Sequence, residues 1–178
     1  MIDSRPDRTI RIKKLVGKRL CEESSCIFCY ELSLNSGYVG YDLLHTADGG
    51  LIASLDEFPF QTRIADIISL KTLYNRANRY SEATIYEVKS CKEDYLTDNK
   101  WRDYLPWCNK FFFAVDEDFP LDIIDCSNPQ VGVVVANDIT GFKIKRSSKS
   151  QINHPIFPID HNYMWFLMAR KLFYKSNI

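Results

Sequence analysis

The sequence predicts a single α/β domain whose sheet is covered on both faces. Two short apolar runs, "KFFFAV" at 110–115 and "VGVVVAN" at 131–137, are typical of strands that are buried on both faces of a sheet. Segments with apolar residues at helical spacing open and close the chain. The 178 residues, 46% of them hydrophobic and 13% aromatic, suffice for one well-packed core but not for two large domains. We therefore expect residues 1–178 to form one domain.

The first half of the chain predicts a helix, a strand, an insertion and a second strand. Residues 7–22 suit an amphipathic helix, although Gly17 lies inside it. The segment "CIFCYELSL" at 26–34 is rich in aromatic and apolar residues and ends at the turn signal "NSG". Scattered turn signals predict an inserted hairpin at about 35–62, and "RIADIISL" at 63–70 predicts the next strand.

The second half predicts one more helix between strands, and then a closing helix. A polar loop, "YNRANRYSEA", leads into a strand that contains "IYEVK". Residues 93–108 suit a helix in which Trp101 packs in the core and Pro106 disturbs the last turns. The two apolar runs follow as strands, then "FKIKR" as a polar edge strand and "HNYMWFLMARKLF" as an amphipathic helix in an extra segment at about 150–178.

Glu87 and Lys89 lie one residue apart in a segment that otherwise resembles a buried strand. Strand side chains alternate between faces, so this acid and base point the same way while Tyr86 and Val88 occupy the other face. Burying such a pair gains little stability, because desolvation roughly cancels the attraction. Their position at a strand end therefore favours a functional interpretation.

Asp66 adds a second acidic position on the preceding strand, where alternation predicts a common face with Ile64 and Ile68. Carboxylate oxygens are the ligands that Mg²⁺ uses beside substrate phosphates, and Mn²⁺ favours the same donors. A nearby lysine can orient or deprotonate the attacking water, especially where its pKa is depressed, or stabilise charge on the phosphate. Asp66 and Glu87 are therefore candidate metal ligands, and Lys89 is a candidate catalytic lysine. Glu31 is a weaker candidate for a further metal ligand.

The stretch "RIADIISL…IYEVKS" resembles the paired-acid and lysine motif of the PD-(D/E)XK phosphodiesterase superfamily. The segment that follows, "KEDYLTDNKWRDYLPWCNKFFFAVDEDFPLDII", is similar to the MmcB family of bacterial DNA repair proteins. In that family an E-(I/V)-K-S strand leads into a D-F-x-x-D-x-K-W-x-x-Y helix and a C-D-x-F-Y-F-A-V strand. The resemblance covers roughly residues 63–137. The segment between Leu34 and Arg63 is longer than in typical members, and the tail after residue 150 is unfamiliar.

The resemblance implies a restriction-endonuclease-like fold with a mixed sheet of about four to six strands. It also implies a metal-dependent deoxyribonuclease acting in DNA repair or recombination, in which Asp66 and Glu87 bind Mg²⁺ or Mn²⁺ and Lys89 assists. Other positions match the motif without a defined role and are candidates for DNA contact or support: Arg63, Ser90, Asp94, Asp98 and Lys100.

Basic residues are segregated along the chain although the formal net charge is zero. They crowd residues 5–19 and 143–149, while much of the middle is acidic. If the fold brings these two segments together, they form a basic flank that can hold a phosphate backbone beside an acidic cleft. Lys14 and Lys18 are then candidates for DNA contact. Two separate solvated faces are the alternative, as is a solvated hairpin tip for the basic "YNRANRY".

Zinc is not expected. The Cys-x-x-Cys of Cys26 and Cys29, with Cys21 nearby, lacks a partner pair and lies in a predicted strand. The three histidines fall in unrelated segments, at positions 45, 154 and 161. We expect the six cysteines to be free thiols.

Two other classes of function stay open. One is a catalytically silent DNA-binding module of the same fold. The other is a protein without catalytic activity on DNA: either a structural or inhibitor protein in which the motif arose by chance, or an accessory protein encoded by a mobile element or phage. We expect a cytoplasmic protein with DNA as its partner, since no apolar run suits a membrane span and the start lacks a secretory segment. A homodimer is compatible with the sequence.

Overall fold

The computed structural model describes residues 4–35, 62–74, 79–150 and 161–176. In chain order the elements are α1 (Arg5–Cys21), β1 (Cys26–Asn35), β2 (Thr62–Tyr74), β3 (Arg79–Lys89), α2 (Lys92–Thr97), β4 (Lys110–Val115), β5 (Val131–Asn137), β6 (Gly141–Arg146) and α3 (His161–Ser176), with short 3₁₀ helices at Trp101–Trp107 and Leu121–Ile123. This order matches the predicted one, and the predicted inserted hairpin lies outside the described residues. No helix in the described ranges combines the length and apolar character needed to cross a bilayer.

The six strands form one mixed sheet in the order β1-β2-β3-β4-β5-β6. β1, β2 and β3 are mutually antiparallel, β3, β4 and β5 run parallel, and β6 is antiparallel to β5. The predicted polar edge strand is confirmed, because β6 lies at the sheet edge with Lys143 to Arg146 exposed. A six-stranded mixed sheet flanked by helices is consistent with a restriction-endonuclease-like core.

Two apolar layers hold the helices against the sheet. On one face Ile12, Val16 and Leu20 of α1 pack against a cluster that includes Tyr86 and Phe112. On the other face lies a larger cluster, to which the strands, the 3₁₀ helix and α3 contribute Ile85, Phe111, Phe113, Trp101, Tyr104, Met164 and Met168. The prediction that Trp101 packs in the core is confirmed, since it is 4% exposed. Strand β3, which carries Glu87 and Lys89, is therefore buried on both faces.

Helix α1 begins at Arg5, slightly earlier than predicted, because Ser4 caps it by accepting a hydrogen bond from the Asp7 amide. Packing against the sheet explains why a glycine, Gly17, lies inside this helix. A Cβ atom at this position would lie 1.9 Å from the hydroxyl oxygen of Tyr30 on β1. The glycine thus allows α1 to approach the sheet closely.

Two sequence predictions about β3 and its neighbours were wrong. The "YNRANRYSEA" segment is not all loop, because β3 begins at Arg79 and Glu82 lies directly opposite Lys71 of β2. Glu82 also forms an ion pair with Lys110 of the neighbouring strand β4 at 2.9 Å, which stabilises a strand that its polar composition concealed. The predicted helix at 93–108 is also broken, since α2 ends at Thr97 and a 3₁₀ helix begins at Trp101. Between them the Asp98 side chain accepts the Lys100 amide at 2.7 Å, which favours a turn over a continuous helix.

Candidate functional site

The candidate site lies where β2 and β3 stop pairing. Their ladder runs as far as Ile67 opposite Tyr86. One position further, the Asp66 carboxylate takes the place of a strand carbonyl, with its Oδ2 accepting the Val88 amide at 2.9 Å. Asp66 is therefore fixed beside Glu87 by the backbone of the strand that carries Glu87.

The predicted common face of Ile64, Asp66 and Ile68 was wrong. Ile68 is fully buried, whereas Ile64 is 55% exposed. Ala65 and Ile68 pack in the same core cluster while Ile67 packs on the opposite face, so the alternation of β2 shifts by one residue at Asp66.

Glu31 marks the matching irregularity in β1. Its φ of 55° lies in the left-handed region, which is uncommon for a residue other than glycine. It lies between Tyr30 and Leu32, which pair with Ile67 and Ala65 of β2. The two irregular positions are thus neighbours, and both send a carboxylate toward the same lysine of α1.

That lysine is Lys13, which sequence reasoning missed. Its Nζ lies 2.8 Å from Asp66 Oδ1 and also contacts Glu31 Oε1. Burial lowers the pKa of Lys13, but the two carboxylates outweigh burial and raise it, so the ammonium keeps its charge. The only sequence signal was its place beside Ile12 on the edge of the buried face of α1, and nothing in the pattern distinguished it from Lys14.

The two lysines that were predicted on α1 do not reach the site. Lys14 is exposed. Lys18 donates to the carbonyl oxygens of Asp138 and Ile139, at 3.3 Å each.

Glu87 and Lys89 share one face of β3, as alternation predicts, and both are buried at 9% and 4% exposure. Lys89 Nζ lies 3.3 Å from Glu87 Oε1 and 2.6 Å from Asp98 Oδ2. The second oxygen of Glu87, Oε2, is buried and has no hydrogen-bond partner among the described residues. A buried carboxyl oxygen without a hydrogen-bond partner is costly, so it is the strongest indication that something binds here.

Electrostatics make Glu87 a weak acid in this arrangement. Burial, and then the like charge of Asp66, raise the pKa of Glu87 to about 8, although Lys89 opposes the shift. A depressed pKa would have suited Lys89 to deprotonate water, but its pKa is raised. Burial lowers it, but Glu87 and Asp98 outweigh burial and raise it. Lys89 therefore stays an ammonium and is unsuited to act as a general base.

The other predicted positions lie around this pair with different degrees of contact. Asp98 belongs to the site through Lys89, and Asp94 Oδ2 accepts the Ser90 amide at 3.4 Å. The Ser90 hydroxyl is buried without a hydrogen-bond partner among the described residues. Lys100 is exposed. Arg63 pairs with Asp103 at 2.7 Å, at the margin of the site.

Tyr104 is a further residue near the site that sequence reasoning assigned only to the family motif. Its hydroxyl donates to the Ile64 carbonyl at 2.8 Å, so it holds the exposed end of β2 against the 3₁₀ helix. Burial, together with the negative charges of Glu87 and Asp66, raises the pKa of Tyr104. The phenol therefore remains protonated and serves as a hydrogen-bond donor.

The two basic segments do come together, because α1 packs on the start of β6. Much of the α1 charge is nevertheless neutralised, since Arg8 pairs with Asp118 and Arg11 pairs with both Asp116 and Asp138. The exposed lysines of the second segment keep the flank basic: Lys143, Lys145 and Lys149.

A divalent cation fits the donors that the site provides. In the described part of the chain no three His, Cys, Asp or Glu side chains form a ready-made metal cluster. Mg²⁺ commonly takes one or two carboxylates and completes its shell with water and substrate phosphate. Asp66 and Glu87 could supply two carboxylates, and a cation would satisfy Glu87 Oε2, which has no hydrogen-bond partner within the described ranges. The six cysteines, all in the described residues, are free thiols, as expected.

Comparisons with known proteins identify the family to which the chain belongs. A solved structure of a protein of unknown function from Silicibacter pomeroyi is similar, with a TM-score of 0.59 at 18% identity over 96% of this chain and 87% of that chain. At this identity the likeness supports the fold alone. No curated protein matches the chain significantly. The family model described as "DNA repair protein MmcB-like" matches residues 41–171. Since this match spans most of the sequence, the chain belongs to the MmcB-like family.

Proposed function

We propose that the protein is a metal-dependent deoxyribonuclease of the PD-(D/E)XK type that acts in DNA repair. The family description supports the repair context. The observation that carries the proposal is the buried Glu87, whose Oε2 has no hydrogen-bond partner in the described part of the chain although Asp66 and Lys89 lie beside it. An excess of buried acid is expensive unless a cation binds to it.

Asp66 and Glu87 would hold Mg²⁺ or Mn²⁺. When bound, such an ion neutralises the charge that develops on the phosphate and lowers the pKa of a coordinated water. The protein contributes the rigid placement of both carboxylates, since Asp66 is anchored to the Val88 amide and Glu87 projects from the central strand β3. Rigid placement of this kind is the main contribution that a protein makes to phosphoryl chemistry.

Lys89 acts in this proposal as a fixed positive charge. Its ammonium is held by Asp98 at 2.6 Å and Glu87 at 3.3 Å, with 5% of the side chain exposed. A preorganised cation stabilises the negative charge that builds up on the oxygens of the scissile phosphate. Lys143, Lys145 and Lys149 would bind the DNA backbone without sequence preference, which makes the affinity fall as the salt concentration rises.

A catalytically silent DNA-binding module is the second candidate, and the Lys13 contact favours it. Lys13 Nζ lies 2.8 Å from Asp66 Oδ1, where it compensates the same charge that a metal would. In such a module this internal cation replaces the metal, and the basic flank alone contacts DNA.

Cleavage assays distinguish the two candidates. The purified protein is incubated with supercoiled, linear, single-stranded and branched DNA in Mg²⁺ or Mn²⁺, beside Glu87→Gln. The matched control is Glu93→Gln, which removes an exposed carboxylate six residues further along the chain. The proposal expects metal-dependent cleavage by the wild type and the control, with loss of cleavage in Glu87→Gln.

Equal cleavage by both variants would indicate a contaminating nuclease and overturn the assignment of the site. If no variant cuts any substrate while all bind DNA with the same salt dependence, the silent module is the correct function. Thermal stabilisation by Mn²⁺ in the wild type but not in Glu87→Gln would separately establish the metal site.

A further inference from the structure

A cleft of about 580 Å³ opens on the α1 face of the sheet, at the opposite end of β3 from the acidic site. This volume lies within the roughly 300–1,000 Å³ typical of small-molecule sites. The cleft forms because α1 ends at Cys21, beyond which the helix does not cover the sheet. Its floor includes Ser69 of β2 and both Thr84 and Tyr86 of β3.

The cleft is separate from the acidic site in position and in orientation. Thr84 precedes Lys89 by five residues, which corresponds to about 16 Å along a strand. Tyr86 packs in the α1-side cluster, whereas Glu87 and Lys89 project from the other face of β3. A molecule in the cleft would therefore not touch Glu87 or Lys89.

Three aromatic residues contribute to the floor of the cleft, each at most 9% exposed: Tyr86, Phe112 and Phe142. The rings of Tyr86 and Phe112 are nearly parallel, at 14°, with centroids 5.6 Å apart, and Phe142 lies 5.9 Å from Tyr86. Hydroxyl groups of Ser69, Thr84 and Thr140 are distributed among these apolar groups. An apolar surface with a few polar groups suits a planar heterocycle that both packs and forms hydrogen bonds.

The charged side chains of the cleft leave a positive surplus at its mouth. Lys71 is paired with Glu23 at 2.7 Å, and Lys110 with Glu82 at 2.9 Å. Lys143 is exposed and has no ion-pair or hydrogen-bond partner within the described ranges.

Arg19 adds a second available cation at the mouth. Its contact to Glu22 is 3.6 Å long, and both side chains are largely exposed, so this pair contributes little. Arg19 and Lys143 are therefore both available to an anionic group.

The packing of β6 on α1 fixes these two cations on one rim. Gly141 has a φ of +79°, and a Cβ there would lie 2.6 Å from Arg19 Cβ and 2.6 Å from the Leu15 carbonyl oxygen. Only glycine allows β6 to begin this close to the helix. The rim is thus part of the rigid fold, which favours binding because little order is lost.

We propose that this cleft binds a nucleoside monophosphate unit. The base lies on the floor formed by Tyr86 and Phe112, and the phosphate binds Arg19 and Lys143 at the mouth. The same chemistry is presented by a free nucleotide and by a nucleotide within single-stranded DNA. The inference does not depend on cleavage at the acidic site, since none of its residues belongs to that site.

Calorimetric titration of the full chain tests the proposal with deoxyadenosine monophosphate, deoxyadenosine, inorganic phosphate and a short single-stranded oligonucleotide. We expect the monophosphate to bind at least roughly ten-fold more tightly than the nucleoside or phosphate alone, because both subsites are then filled. Lys143→Glu should weaken binding by about ten-fold or more, and Arg19→Glu likewise. The matched control is Lys92→Glu, an exposed lysine of α2 that does not line the cleft.

Amide chemical shifts locate the ligand, and we expect changes at Thr84 and Thr140 rather than at Lys89. Competition between the oligonucleotide and the monophosphate identifies a strand as a source, whereas binding of the monophosphate alone identifies a free nucleotide. No binding at millimolar concentration would overturn the proposal. Phosphate binding as tight as nucleotide binding would also overturn it, as would equal losses in Lys143→Glu and Lys92→Glu with far-UV circular dichroism unchanged.

Discussion

Strand β3 carries two acid–lysine contacts that differ in their surroundings. Near its start Glu82 pairs with Lys110 at 2.9 Å, and the lysine side chain is 29% exposed. Near its end Glu87 is about as buried as Glu82, but the side chain of its partner Lys89 is only 5% exposed, and this pair shares its surroundings with Asp66 and Asp98. The first pair is electrically balanced and can be explained by strand pairing alone. The second contains more acid than its lysine can neutralise, which indicates a site built for a further cation.

The largest expected difference between the two pairs is catalytic. Lys89→Met should lower DNA cleavage by roughly 10²-fold to 10³-fold, because a preorganised charge at the phosphate is lost. Lys110→Met removes the lysine of the balanced pair, and it should change cleavage by less than about two-fold since it touches no reacting group. Single-turnover rates of both variants measure the contrast. Similar losses in both would mean that the end of β3 has no special role.

We expect the pH dependence of the melting temperature to differ between variants of Glu87 and variants of Glu82. The pKa of Glu87 in the fold is about 8, above its ordinary value of 4.5. Between these values the folded chain holds a proton that the unfolded chain has lost, so the free energy of unfolding falls as pH rises through this window. Glu87→Gln should therefore raise the melting temperature by about 5 °C near pH 9 without metal and leave it nearly unchanged near pH 5.

Glu82→Gln is the control for that measurement. It removes the carboxylate from an ordinary ion pair, so it should lower the melting temperature slightly, and by similar amounts at both pH values. A Glu87→Gln profile that runs parallel to the wild-type profile would contradict the raised pKa of Glu87.

The next prediction concerns Asp98, the second acid that contacts Lys89. Among the described residues, the pair of Glu82 and Lys110 has no second acid of this kind. Asp98→Asn leaves the buried Lys89 ammonium with a weaker partner and should destabilise the fold by about 1–3 kcal/mol. Asp122→Asn changes an exposed aspartate and should lie within about 0.5 kcal/mol of wild type. Urea unfolding at neutral pH measures both. Equal midpoints for the two variants would show that Lys89 does not depend on Asp98.

The smallest expected effect concerns Lys13, the cation that partly offsets the surplus acid. Lys13→Met keeps the apolar stem but frees Asp66 and Glu31, so Mn²⁺ should bind roughly three-fold more tightly while the metal-free protein becomes less stable. Lys14→Met alters the exposed neighbouring lysine and should affect neither quantity. Unchanged Mn²⁺ affinity in Lys13→Met would mean that the ammonium and the metal do not share Asp66.

Sequence periodicity predicted the parts of the molecule that obey it. The apolar runs of β4 and β5, the closing helix and the common face of Glu87 and Lys89 all follow from regular alternation or helical spacing. The family resemblance added the expectation of a mixed sheet flanked by helices, which the structure has.

The remaining features depend on local departures from regularity. A prediction based on regular two-residue alternation cannot detect the left-handed backbone of Glu31 or the shifted alternation at Asp66. The turn at Asp98 arises from one side-chain hydrogen bond to the Lys100 amide. Lys13 could not be separated from Lys14, because its contact depends on how closely α1 approaches the sheet. These irregular positions are also the ones that bring charge into the candidate site.

Gly17 allows α1 to lie close to Tyr30 of β1, and this close packing affects where Lys13 of the same helix is placed in the candidate site. Tyr30, which fills the space that a Cβ of Gly17 would need, also donates from its hydroxyl to the Lys13 carbonyl at 3.4 Å. A methyl group at position 17 would push this ring or the whole helix away and carry the Lys13 ammonium with it. Gly17 thus acts as a spacer that sets how far a positive charge extends into an acidic centre. Variation at this helix position would tune the centre without changing any residue in it.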